Sequence, residues 1–177
     1  MAAAEANPFW DYSLEVYQRE AVAKACLALQ DRLQLDVNLL LFCCWTGEHG
    51  HQLSEEQVRR CLAATAEWQH EILAPLRGLR RRLKGELEVP AERRQALRAR
   101  LRDLELDAER IEQDLLFETV TLAPAAERGA EVAALNLSTY LLAAGIDLGE
   151  EDLELLGGLL DAVFAGDADT DDEPRLL

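Results

Sequence analysis

Two stretches of about thirty residues each carry apolar side chains at spacings of four and three, and one break separates them. The first runs through Val58, Leu62, Thr65, Gln69, Ile72, Leu76, Leu79 and Leu83; the second through Leu97, Leu101, Leu104, Ala108, Ile111 and Leu115. That period places one side chain per turn on a single face of an α-helix. The break, residues 85–90, begins with Gly85 and ends with Pro90, a residue suited to the first position of a new helix. Two such helices predict an antiparallel hairpin over about residues 55–120, packed along a coiled-coil-like seam. Pro75 predicts a kink in the first of them, because its ring removes one helical hydrogen bond.

Composition extends the helical reading to the whole chain. Leu (34) and Ala (27) are abundant, whereas Val, Ile and Thr together number 17, so helix formers far outweigh strand formers. The expected fold class is all-α, a helical bundle built around the long hairpin. With 49% hydrophobic residues in 177, residues 1–165 can bury the core of a single domain. Asn7-Pro8 opens a helix to about Tyr17, and the helical pattern resumes or continues through Val22, Cys26, Leu29 and Leu33. Asp36 caps an almost wholly apolar segment that Gly47 and Gly50 are expected to end, and Ser54 with Gln57 reads as a capping box. Further helices are expected near residues 130–144 and 149–164. Residues 166–177, rich in Asp and Glu, read as a disordered acidic tail.

Several function classes are disfavoured. The longest unbroken apolar run, Leu39 to Trp45, is far short of the roughly 20 residues a membrane span needs. The first basic residue is Arg19, so no charged signal segment precedes it. Cys26, Cys43, Cys44 and Cys61 form no C-x-x-C pair and sit in apolar helical surroundings, which predicts buried, reduced thiols and a cytoplasmic protein. The formal net charge of −16 argues against nucleic acid as a general partner.

Charge is nonetheless concentrated. Residues 77–102 hold 10 of the 18 bases and only 3 acids. Folding the hairpin about its break brings Arg77, Arg80, Arg81, Arg82 and Lys84 against Arg93, Arg94, Arg98, Arg100 and Arg102. Such a basic tip suits phosphate, carboxylate or an acidic helix, with Arg77, Arg80, Arg81, Arg94 and Arg98 as the candidate contacts. The plain alternative is a solvated face paired with Glu86, Glu88 and Glu92; a third is a tip screened by the acidic tail.

The motifs Phe9-Trp10-Asp11-Tyr12-Ser13, Ala25-Cys26-Leu27 with Leu29-Gln30-Asp31, Asp36-Val37-Asn38-Leu39-Leu40-Leu41-Phe42 with Trp45, and Pro75-Leu76-Arg77 with Leu79-Arg80-Arg81 carry a resemblance. Over about residues 8–115 the chain resembles an uncharacterised family of short cytosolic proteobacterial proteins, a domain of unknown function. The resemblance implies a helical fold and a bacterial cytoplasm, and no activity. Within these motifs, polar residues interrupt apolar helices. Buried amides and carboxylates must bond something, either helix ends or a ligand. Trp10, Gln30, Asp31, Asn38 and Trp45 are therefore candidates for a polar pocket walled by aromatic rings, with Tyr17, Trp68 and the anion ligand Arg77 close by.

No catalytic signature emerges. Glu67 and His70 have Glu-x-x-His spacing but no second copy of it, and Cys44, His49 and His51 fit no zinc pattern. Glu105, Glu109 and Glu112 share one helix face and read as a solvated flank. Residues 167–171 begin like an EF-hand loop without its later ligands. No cofactor or metal is expected. The leading expectation is a non-enzymatic interaction module, an adaptor or regulator whose partner is another protein, with a homodimer through the hairpin also open. The alternative is a small-molecule-binding protein or enzyme using the Trp10, Asp31, Asn38 and Trp45 region.

Overall fold

The computed structural model describes residues 7–85, 87–123 and 127–165, and the expected acidic tail lies outside them. In chain order the helices are α1 (Pro8–Tyr17), α2 (Glu20–Leu33), α3 (Val37–Glu48), α4 (Glu55–Trp68), a π-helical turn (Gln69–Leu73), α5 (Ala74–Arg82), α6 (Ala91–Thr119), α7 (Ala130–Ala144) and α8 (Glu150–Phe164). There is no strand among the described residues, and the protein is all-α.

Helix ends follow the local chemistry of the sequence. The Asn7 carboxamide accepts from the Phe9 and Trp10 amides ahead of Pro8, and Asp36 accepts from the Asn38 amide at 2.9 Å. Ser54 and Gln57 bond reciprocally at 3.2 and 2.9 Å, completing the capping box. Gln34, at φ 57°, ends α2 in the left-handed region, and its amide returns to the Gln30 carbonyl.

Helix α3 is buried on every side from Asn38 to Gly47 and packs against α7, while α2 packs on α8 and α4 on both α6 and α7. One apolar cluster runs from Phe9 to Phe164. The four cysteines are free and buried within the fold, and burial pushes the Cys26 thiol up to about 12 and Cys61 to about 11. Among the described residues no helix is long and apolar enough to cross a membrane.

Gly47 does not end α3, as the sequence suggested; the helix continues to Glu48. A Cβ at Gly47 would lie 2.4 Å from the Ala133 backbone nitrogen and 2.5 Å from its Cα, so glycine here permits the close crossing of α3 and α7. We expect Gly47→Ala to cost about 2–3 kcal/mol in urea denaturation, because backbone rather than a flexible side chain must yield. A change below about 0.5 kcal/mol would show that the two helices part freely. Beside this crossing, fully buried Asn136 accepts from the Leu53 amide at 2.7 Å and donates to Thr46 Oγ1 and the His51 carbonyl. A single carboxamide thus ties the α3–α4 loop to α7, and nothing in the sequence pattern singled it out.

The hairpin differs most from expectation. Its two arms, α4 to α5 and α6, do pack together, with the Trp68 indole N–H donating to the Ala108 carbonyl at 2.9 Å. Pro75 cannot donate to the carbonyl four residues before it, and the chain widens just ahead into the π turn, where the Ala74 amide bonds the Gln69 carbonyl. The π turn accommodates one extra residue. Upstream of it, Val58, Cys61 and Thr65 face inward; downstream, the inward positions become Leu73, Arg77 and Arg80. Ile72 and Leu79, assigned to the seam by periodicity, are 37% and 50% exposed. On α6, likewise, Leu101, Glu105, Ala108 and Glu112 are buried, whereas Leu97, Leu104 and Ile111 are exposed. Charged side chains occupy much of the inside of the hairpin and leucines much of the outside.

Candidate functional site

A cleft of about 580 Å³ opens between the N-terminal helices and the hairpin. Helix α1 contributes Trp10, Ser13, Leu14 and Tyr17; α2 contributes Leu27, Gln30 and Asp31; α3 contributes Val37, Asn38 and Leu41. Across from them stand Arg77, Arg80, Arg81 and Lys84 from α5 and its end, and Arg102, Glu105, Leu106, Glu109 and Gln113 from α6. The size and mixed lining are those of a small-molecule site.

The cations fall into two sets. Arg77 and Arg80 are held from within. Arg77, 9% exposed, reaches Glu105 at 3.4 Å and Glu109 at 2.9 Å, and Arg80 forks onto the two Glu105 oxygens. Burial opposes the Arg77 charge, but the bond to Glu109 and the nearby Asp36 and Glu105 carboxylates outweigh it and hold its pKa up. The second set is open. Arg81 and Lys84 are exposed on the cleft wall and pair with no carboxylate among the described residues, while Arg102 touches only the adjacent Asp103, at 3.1 Å. Tyr17 lies on the opposite wall, and burial pushes its hydroxyl up to about 12, so it stays protonated at neutral pH.

The inner end of the cleft is polar and incompletely bonded. Gln113, 3% exposed, donates to the Asn38 carboxamide oxygen at 2.8 Å, and Asn38 donates to Glu112. The Gln113 oxygen and the Ser13 hydroxyl, both buried and both on lining residues, have no hydrogen-bond partner. Behind them burial, reinforced by the Asp36 carboxylate, pushes the fully buried Glu112 carboxyl up to about 9, which keeps it protonated near neutrality. Asp36 in turn donates its amide to the Tyr140 hydroxyl at 3.0 Å.

The structure brings together two sets of residues that the sequence treated as separate sites. Trp10, Gln30, Asp31 and Asn38 line the cleft, and so do Arg77, Arg80 and Arg81. Trp45 does not: it lies in an aromatic cluster with Phe9, Phe42, His49 and Phe117, at ring separations of 4.9–5.8 Å. Trp68 is likewise absent from the lining. Arg94 and Arg98 are half-buried and lie off the cleft, and Arg98 Nε has no bond. Arg77 and Arg80 are internal ion-pair partners instead of free contacts of a basic tip, because the π turn rotates them inward. Glu105, Glu109 and Glu112 are not a solvated flank: the first two neutralise those arginines and the third closes the polar cluster. Ser13, Lys84, Arg102 and Gln113 were missed as site residues. The inward polar rhythm of α6, Glu105, Glu112 and Gln113 among Leu101 and Ala108, was the available signal. Among the described residues no cluster of three or more His, Cys, Asp or Glu is placed to hold a metal ion.

No curated protein and no solved structure matches the chain. A family model described as "Protein of unknown function (DUF2390)" matches residues 8–116, which includes every residue that lines the cleft. With more than half of its length covered by that model, the chain belongs to this family of proteins of unknown function.

Proposed function

We propose that the protein binds an anionic small molecule in the cleft between α1–α3 and the hairpin. The observation that carries this reading is the pair of open cations on one wall, Arg81 and Lys84, facing an aromatic and apolar lining across the cleft. Around the cleft, Trp10, Leu14, Leu27, Leu41 and Leu106 offer apolar surface. The ligand this chemistry fits has an acidic group, phosphate or carboxylate, and an apolar or aromatic body. Buried free thiols and the family resemblance support a bacterial cytoplasm as the setting.

The test is thermal unfolding of the full chain at low salt with inorganic phosphate, adenosine monophosphate and indole-3-acetate as probes. An organic anion present at about 100 times its Kd stabilises by about 2.7 kcal/mol, which raises Tm by roughly 5–10 °C at this size. Arg81→Ser with Lys84→Ser removes the shift and leaves the unliganded Tm nearly unchanged, since both side chains are exposed. A Tm indifferent to all three probes, or a shift retained in the double variant, overturns the reading. An interaction module remains the second reading, and the leucines outside the hairpin favour it over the arginine tip.

A further inference from the structure

The π turn and the polar interior of the hairpin leave an apolar face with nothing on it. Leu97, Leu104 and Ile111 recur at intervals of seven on α6 and are 48%, 55% and 46% exposed. Seven residues are nearly two helical turns, so the three form one stripe, the spacing by which a helix presents itself to another helix. Leu104 and Ile111 are not cleft residues, and the stripe is separate from the ligand site.

The charges of α6 indicate what covers it. Residues 91–102 carry Arg93, Arg94, Arg98, Arg100 and Arg102 against Glu92 alone. Residues 103–119 carry seven acids against Arg110 alone; Glu105, Glu109 and Glu112 are engaged inside the fold, which leaves Asp103, Asp107, Asp114 and Glu118. The sign changes beside Leu104, the middle residue of the stripe. A helix whose charge reverses at the centre of its own apolar stripe is complementary to itself only when turned end for end. Parallel pairing would set Arg100 beside Arg100 and acid beside acid.

We propose that α6 packs against α6 of a second copy, antiparallel and centred on Leu104, to make a two-fold dimer. Leu104 meets its own equivalent, and Leu97 meets Ile111 of the second copy. Arg100 and Asp107 sit one turn to either side of Leu104 on the same face. Both are exposed and neither forms an ion pair among the described residues. In the dimer each Arg100 runs beside Asp107 of the second copy, twice by symmetry.

Sedimentation velocity of the full chain at about 100 μM, a concentration that fills any dimer with Kd in the low micromolar range, reads the mass directly. The expected mass is twice 19.8 kDa. Leu104→Glu gives the monomer with unchanged helical circular dichroism, because the residue is half exposed and contributes little to the fold. Arg100→Glu alone and Asp107→Arg alone each weaken the dimer by about tenfold or more, and the two together restore it, since the reversed pair is again complementary. A monomeric wild-type chain, a dimer untouched by Leu104→Glu, or a double reversal that fails to recover overturns the proposal. Each of these assigns the stripe to another occupant or to none.

Discussion

Arg77→Met lowers stability by about 3–5 kcal/mol, the usual cost of removing one partner from a buried ion pair. Methionine fills much of the same space, so the loss comes from charge and not from a cavity. Glu109, held 2.9 Å from the guanidinium, is left with a carboxylate that burial already pushes toward its neutral form. Glu105 keeps Arg80 as a partner. Adding Glu109→Gln to Arg77→Met therefore returns a large part of the loss, which a surface ion pair would not show. Urea denaturation of the wild type and both variants measures this, with a fall in Tm of about 10 °C as the companion signal for Arg77→Met. A loss below about 1 kcal/mol would mean that Arg77 is solvated and that the inner wall of the cleft is not preorganised.

Glu112→Gln has its largest effect at alkaline pH. The carboxyl is held near 9 in the folded protein against 4.5 in its unperturbed state, first by burial and then by Asp36. Between those values the folded chain keeps a proton that the unfolded chain releases. The unfolded state then binds fewer protons, so stability falls as pH rises, on the order of 1.4 kcal/mol per pH unit at the steepest. Below pH 4.5 both states are protonated and the effect disappears. Glutamine resembles the protonated acid in shape and cannot ionise. The variant is expected to match the wild type near pH 5 and to exceed it increasingly up to about pH 9, so that its Tm profile is flatter. Parallel Tm profiles would show that Glu112 is ionised in the fold and that its bond from Asn38 is charge-assisted.

Most of the helices were legible in the sequence because their ends are local chemistry. Asn7-Pro8, Asp36, Ser54 with Gln57 and Gly145 each cap or stop a helix where expected, through bonds that span two to four residues. Gly47 was misread because a glycine that ends a helix and one that admits a neighbouring backbone look alike until Ala133 is in place. The hairpin was legible in outline and wrong in orientation. Its leucine periodicity is strong, but Arg77, Arg80, Glu105 and Glu109 make better partners for one another across the interface than a seam pattern can reveal, since pairing between helices is not a property of either one. The same gap split the site in two. The cationic segment and the Trp10–Asn38 region stand about forty residues apart or more and face each other across one cleft only once the turn of α4 into α5 is known. Trp45 was lost from the pocket for the ordinary reason that an aromatic residue in an apolar helix is more often core.

That turn has a consequence for how such a chain can change. One residue advances a helix by about 100°, so inserting a single residue ahead of Pro75, with the π turn kept, would rotate everything from residue 76 to the hairpin bend by that amount. Leu76, Leu79 and Leu83 would swing into the interface and Arg77 and Arg80 would swing out. The product would be a leucine-lined hairpin without a cationic inner wall, reached with no substitution at all. In this chain the difference between a plain helical hairpin and a walled cleft is carried by an offset of one residue, and an insertion near residues 69–73 weighs more than exchanges of side chains there.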